Sequence, residues 1–291
     1  MSAVTTNKDC ISKACIGWFC DAAPPPPDAP QGSTPLPAVR SWDLPSFRNL
    51  DLGDFAVAKD AYGADNRDWV RDPAGSGQYV LQVTYPAGSF HPKGTPVGGT
   101  GFYASPIDIS AAKSVTFQYD VYFPADFNFV RGGKLPGLYG GRPSCTGGDA
   151  AKDCFSTRYM FRTNGAGEIY VYVDRAAQVP AFCQVPPQTF CNDVYGTSLG
   201  RGSFHWNTGA WNTITQTITL NDVGKQNGRI QVVHNNEGTA IDFDKVVFRT
   251  SDSVRCAGID FETFFGGSTK EWATPTDQKA YFKGFKLKIN F

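Results

Sequence analysis

Lys134 sits in the run RGGKLPGLYGG (residues 131–141), where five glycines and a proline surround a single lysine. Ser156 and Arg158 follow at a spacing of two, and Tyr170 and Tyr172 repeat that spacing. Cations and phenols of this kind can hold an anion, offset negative charge as it develops and pass a proton. In a strand, residues two apart point to the same face. Ser156, Arg158, Met160 and Arg162 therefore share a face of one strand, and Glu168, Tyr170, Tyr172 and Asp174 a face of the next. If Arg162 pairs with Glu168 across a five-residue loop, Arg158 stands opposite Tyr172 and Met160 opposite Tyr170, on a common surface. A two-residue turn at Asn164-Gly165 would instead put the two sets on opposite faces. Taken alone, such a hairpin reads first as a solvated or interface face. The glycine run fits a place where backbones cross closely as well as it fits a loop that aims Lys134 at a ligand.

Other groups offer competing chemistry. Asp260 and Glu262 in IDFETFF alternate onto one face, as do Asp242 and Asp244 in AIDFDKV, and either pair could pose as the two carboxylates of a glycoside hydrolase. Both are more simply surface or ladder-end carboxylates, and a hydrolase explains neither Lys134 nor the tyrosine pair. Trp206, Trp211 and Trp272 could stack on sugars in a non-catalytic lectin, although core burial is the commoner fate of tryptophan. His91, His205 and His234 are scattered and are left out of the site.

The elements that must position these residues are strands. Segments 77–86, 113–124, 155–163, 167–175, 211–221, 228–236 and 279–291 alternate apolar and polar residues and are rich in β-branched and aromatic types. Helical patterning is almost absent. Strands at this spacing with turn-rich links predict an all-β fold, an antiparallel two-sheet sandwich. In such a sandwich one sheet often curves into a concave groove in which a polysaccharide can lie.

The domain is expected over residues 41–291, preceded by a cysteine-containing segment (1–21) and a proline-rich linker (22–40) that favours extended structure. Net charge is zero, with 27 basic and 27 acidic residues and no basic run, so a general nucleic-acid or membrane-surface binder is not expected. A polyanion would have to be held by a few placed cations. No apolar stretch is long enough for a transmembrane helix. Eight cysteines in loop-like surroundings predict disulfides and an oxidising compartment: Cys145–Cys154 and Cys183–Cys191 as local clamps, with Cys10, Cys15, Cys20 and Cys256 supplying two more bridges. The absence of a CxxC pair or an adjacent histidine weighs against zinc. The mature protein is expected to be secreted, after loss of a signal peptide, and monomeric.

The run GGKLPGLYGG, then STRYMFR and IYVYV, then IDFETFFGG and the ending YFKGFKL resembles polysaccharide lyase family 14, the alginate and glucuronan lyases, over about residues 80–291. The resemblance implies a β-jelly roll with a groove for a uronate chain and no required metal or cofactor. It places a catalytic lysine in the GGK loop at Lys134, the family's Ser-x-Arg at Ser156 and Arg158, and its Tyr-x-Tyr at Tyr170 and Tyr172. The cysteine-rich head and linker look like a fungal extracellular elaboration outside it.

Elimination suits these residue types. The C5 proton beside an ionised carboxylate leaves only if that charge is offset, a role for Lys134 and Arg158. A base takes the proton and an acid protonates the departing O4. In mannuronate and glucuronate H5 and O4 lie on one side of the ring, so a single phenol, Tyr172 supported by Tyr170, could do both with a nearby cation lowering its pKa. Lys134 is the alternative base if desolvated, and Ser156 is expected to position the substrate. The expected partner is thus an acidic polysaccharide, glucuronan or polymannuronate before polyguluronate. On this reading Lys134→Ala and Arg158→Ala abolish turnover and leave the fold intact.

Overall fold

The computed structural model describes residues 40–192 and 194–290. The segment 1–21 and the linker up to residue 39 lie outside the described residues, as do the bridges expected of Cys10, Cys15 and Cys20. Fifteen strands follow in chain order: β1 (Ser41–Leu44), β2 (Val57–Tyr62), β3 (Arg67–Arg71), β4 (Tyr79–Tyr85), β5 (Thr100–Ala104), β6 (Ser114–Phe123), β7 (Gly132–Gly141), β8 (Cys154–Arg162), β9 (Ala166–Tyr172), β10 (Thr197–His205), β11 (Ala210–Thr219), β12 (Gly228–His234), β13 (Thr239–Val246), β14 (Cys256–Phe265) and β15 (Gln278–Asn290). Helical structure among the described residues is confined to short 3₁₀ turns, and no helix is long and apolar enough to cross a membrane.

The strands form two antiparallel sheets. The larger runs β13-β12-β11-β6-β15-β4-β3 with β1 beside β15, and the smaller runs β10-β9-β8-β7-β14-β5-β2. This is the β-jelly-roll sandwich expected. In the larger sheet the alternation in sequence becomes alternation in burial: β6 and β11 bury every second residue, among them Phe117, Tyr119, Val121, Ile214 and Ile218. The smaller sheet meets them with Phe102, Leu135, Phe155, Tyr159, Phe161 and Phe261. The core is largely aromatic, with Phe102 stacked on Phe261 at 4.5 Å and Phe55 edge-on to Phe285 at 5.0 Å.

Strands β7 and β8 depart from this alternation, being buried along almost their whole length. One face packs on the core and the other is covered by side chains and loops that build the site. The glycine run is strand, and its glycines serve the close packing that is one of its two open readings in sequence. A Cβ on Gly133 would lie 2.3 Å from the Phe161 ring, and one on Gly140 2.1 Å from the Phe155 ring. At Gly137, beside a bulge, a Cβ would meet the Thr157 carbonyl at 2.1 Å. The close crossing and the aimed lysine are thus both present: the glycines let β8 approach, and that approach fixes Lys134.

Candidate active site

The odd-numbered residues of β8 and β9 point into the core, so the even-numbered ones form the outer face of the smaller sheet. Pairing sets Ser156 opposite Tyr172, Arg158 opposite Tyr170 and Met160 opposite Glu168. This is two residues from the register expected across the hairpin. The connection centres on Asn164, whose φ of 59° turns the chain there. An even slip changes partners and keeps faces, so the expected common surface survives. On the next strand Lys134 stands opposite Met160, flanked on its other side by Phe264.

Lys134, Met160, Arg162, Tyr170 and Tyr172 line one cleft of about 320 Å³, together with His91, Thr146, Tyr195, Phe264 and Trp272. A larger cleft, about 470 Å³, lies beside Phe127, Phe129 and Trp206, but its lining holds no basic side chain. Chemistry favours the smaller one. Lys134 is its centre: Nζ lies 3.1 Å from the Tyr170 ring centroid, 5.6 Å from that of Tyr172 and 3.4 Å from Met160 Sδ. The Tyr170 and Tyr172 rings pack edge to face, 5.6 Å apart. Among the described residues no carboxylate pairs with Lys134, because Glu168 and Glu262, which act on it through space, are committed to arginines. Burial first, then the neighbouring Arg158 and Arg162, hold its amine well below the usual lysine range. Burial and the adjacent Tyr172 push the Tyr170 phenol upwards, keeping it protonated at neutral pH.

Arg158 and Ser156 do not reach the cleft. Arg158 is fully buried; Nη1 pairs with Glu262, and Nε lies 3.3 Å from Asp260. Burial opposes its charge, but those two carboxylates more than reverse that and hold the guanidinium above its ordinary value. The bidentate grip on a substrate carboxylate expected of Arg158 is therefore corrected: its guanidinium is fully buried beneath the cleft, paired through Nη1 with Glu262 and set beside Asp260, with Nη2 left without a hydrogen-bond partner. Its Cζ lies 5.5 Å from the Tyr172 ring, so it acts on the site from below. Ser156 is equally buried and donates its hydroxyl to the Cys145 carbonyl at 2.9 Å, so it positions a loop, not a sugar.

The same ion pairs remove Asp260 and Glu262 as hydrolase carboxylates, and Asp242 is held by Arg229 on the exposed edge strand β13. Trp206 is core, donating Nε1–H to the Met160 carbonyl. Trp211 lies on the larger sheet, donating to Asp72, and of the three candidate tryptophans only Trp272 lines the cleft. Of the other lining residues, His91 is set aside in sequence as a loop histidine, Arg162 is placed on the strand face without a role, and Tyr195 is not picked out, since loops distant in the chain bring His91 and Tyr195 in.

Both expected local disulfides form, and the first braces a loop against the phenols, whereas the second packs on the main core. Cys145–Cys154 packs on Tyr172 and Tyr170 and carries Thr146 into the cleft wall. Cys183–Cys191 precedes Gly196, where a Cβ would lie 2.6 Å from Tyr170 and 2.8 Å from Tyr172. Cys256 is buried, without a disulfide among the described residues. Replacing Cys145 and Cys154 by alanine should lower the unfolding free energy by about 2–3 kcal/mol. It should also slow turnover well below the new melting point. Denaturant titration and initial rates check this; a folded double variant with full activity would show that the loop does not support the phenols.

The sequence profile of Polysaccharide lyase 14 matches residues 73–285. Among solved structures the chain is similar to the marine PL-14 alginate lyase from Aplysia kurodai, with 33% identity and a TM-score of 0.76 over 87% of this chain and all of that one. An alginate lyase from Chlorella virus shares the fold at 22% identity and a TM-score of 0.68, again over 87% of this chain and all of that one. Exolysin of Paramecium bursaria Chlorella virus 1 is 26% identical over 179 residues, which cover 54% of this chain and 26% of that protein. The chain thus matches about a quarter of that relative's length.

Proposed function

The chain belongs to the polysaccharide lyase 14 family, and from that premise we propose that it cleaves a β-1,4-linked polyuronate, glucuronan or the mannuronate of alginate, by β-elimination. The observation that carries this reading is an unpaired, desolvated Lys134 facing Tyr170 and Tyr172 in one cleft. The relative from Aplysia kurodai, described as an alginate lyase, supports the substrate class.

Lys134 is the base in this scheme, in place of the phenol expected from sequence. Its surroundings disfavour the ammonium, and a neutral amine can take the C5 proton. The electron pair left behind forms the C4–C5 double bond as the C4–O4 bond breaks. Tyr172 supplies a proton to the departing O4, while Tyr170 keeps its proton and holds the ring. Since H5 and O4 lie on one side of mannuronate and glucuronate, a base and an acid on one wall suffice. Guluronate presents them on opposite sides. Two disulfides support an extracellular place of action.

The test is to incubate the purified chain with glucuronan, polymannuronate and polyguluronate and follow the ultraviolet absorbance of the unsaturated uronate. Absorbance should rise with one or both of the first two and far more slowly with the third. New reducing ends without absorbance would make the protein a hydrolase, and binding without either would make it a lectin.

A further inference from the structure

With Arg158 turned inward, the cleft still needs a group to answer the carboxylate of the sugar being cleaved. We propose that this group is Arg162, a specificity-determining residue held ready by Glu168; the inference rests on the polyuronate reading above.

Arg162 ends β8 on the same face as Met160 and lines the cleft, with its side chain 12% exposed. Its guanidinium carbon lies 5.7 Å from the Tyr170 ring and 5.8 Å from the Trp272 ring, so two aromatic walls limit its travel. Opposite it stands Gly132, where a Cβ would lie 3.1 Å from Arg162 Cδ and 3.3 Å from Trp272; the missing side chain leaves room for the arginine stem. Only Nη2 is engaged, on Glu168 Oε1 at 2.5 Å, and Nε is buried without a hydrogen-bond partner. A buried N–H left unpaired is costly, and an anion bound in the cleft would relieve it.

Glu168 is fully buried and also accepts from Ser198 and from Arg201, at 2.5 and 2.8 Å. Burial opposes its charge, but Arg162, Arg201 and Ser198 together keep the carboxyl below its ordinary value. Glu168 shares two guanidinium groups, so it orients Arg162 without cancelling it. Arg158 also has Nε and Nη2 without a hydrogen-bond partner, but it is fully buried, faces two acids and does not line the cleft. A planar donor fork between aromatic walls, beside Lys134, suits a carboxylate in place and orientation.

The probes are polymannuronate for kinetics and, in a Lys134→Ala background that stops turnover, saturated trimannuronate and β-1,4-mannotriose for binding. The two trisaccharides differ only in the carboxylates. Arg162→Gln should raise KM on polymannuronate and weaken trimannuronate binding about 10- to 100-fold. Mannotriose binding should be unchanged, and Arg162→Lys should recover part of the loss. Glu168 keeps Arg201 and Ser198 in these variants, and melting temperatures check that the fold persists. Equal loss for both trisaccharides, or none for either, overturns the assignment of Arg162 alone. A protein with Arg162 intact that binds neither and releases no unsaturated product overturns the polyuronate reading and this inference with it.

Discussion

Lys134→Ala is expected to lower kcat on the preferred polyuronate by about 10²- to 10⁴-fold, the usual worth of a positioned general base. The acid limb of kcat/KM should disappear with it, because that limb is the protonation of the Lys134 amine, which burial and two guanidiniums hold well below 10.5. Tyr172→Phe should also slow the reaction yet keep that limb. If instead the limb survives in Lys134→Ala and vanishes in Tyr172→Phe, the base is the phenol. A second measurement ties the same side chain to stability. Below its lowered folded pKa the amine is protonated in both states, and the folded protein bears the full cost of burying the charge. As pH rises from there towards 10.5, the folded state releases the proton first, the unfolded state binds more, and stability grows. Lys134→Met should therefore melt higher than the parent protein, with a gap widest in acid and closing towards pH 10.5. An unchanged gap across that range would mean that the buried amine carries no such cost.

That a residue so costly to bury was visible in the sequence, while its surroundings were not, follows from what spacing encodes. Period-two patterning gave β6, β11 and β15 almost to their ends, because each buries one face and wets the other. It failed for β7, whose Gly133, Gly137 and Gly140 look like loop and are strand, since their role is to admit Phe161, the β8 backbone and Phe155. Spacing also tells which face a side chain takes and not how deep it lies. Ser156 and Arg158 were put on the correct face, but Asp260 and Glu262, about a hundred residues later in the chain, decide that Arg158 stays beneath the surface. Arg162 lies on that same face and reaches the cleft. What separates it from Arg158 is the partner: Glu168 on the neighbouring β9, shared with Arg201 of β10, against two acids of β14, and the contributions of β10 and β14 are tertiary facts. Lys134, Tyr170 and Tyr172 were legible because their motifs match a family, and the structure brings those three together.

Arg158→Ala is expected to destabilise the protein by about 3–5 kcal/mol, because it strands Asp260 and Glu262 in the interior without a counter-charge. Burial, and the nearness of Glu262, already push Asp260 up; without Arg158 both acids would have to bind protons or the region would open. Loss of activity in that variant would therefore speak of folding, contrary to the intact fold expected from sequence. The triple variant Arg158→Met, Asp260→Asn, Glu262→Gln separates the effects: it removes the charges together and keeps volume, so denaturant titration should show most of the stability restored. Its kinetics then discriminate between two roles. Arg158 is the charge that lowers the Lys134 pKa most, ahead of the opposing Glu262, and Asp260 acts on it more weakly still, so the triple variant is expected to leave the amine easier to protonate. The acid limb of kcat/KM should move to higher pH, with turnover recovering in alkali and KM on the plateau unchanged. A raised KM with the limb in place would instead mean that Arg158 touches the substrate carboxylate after all, through a movement that breaks its ion pairs.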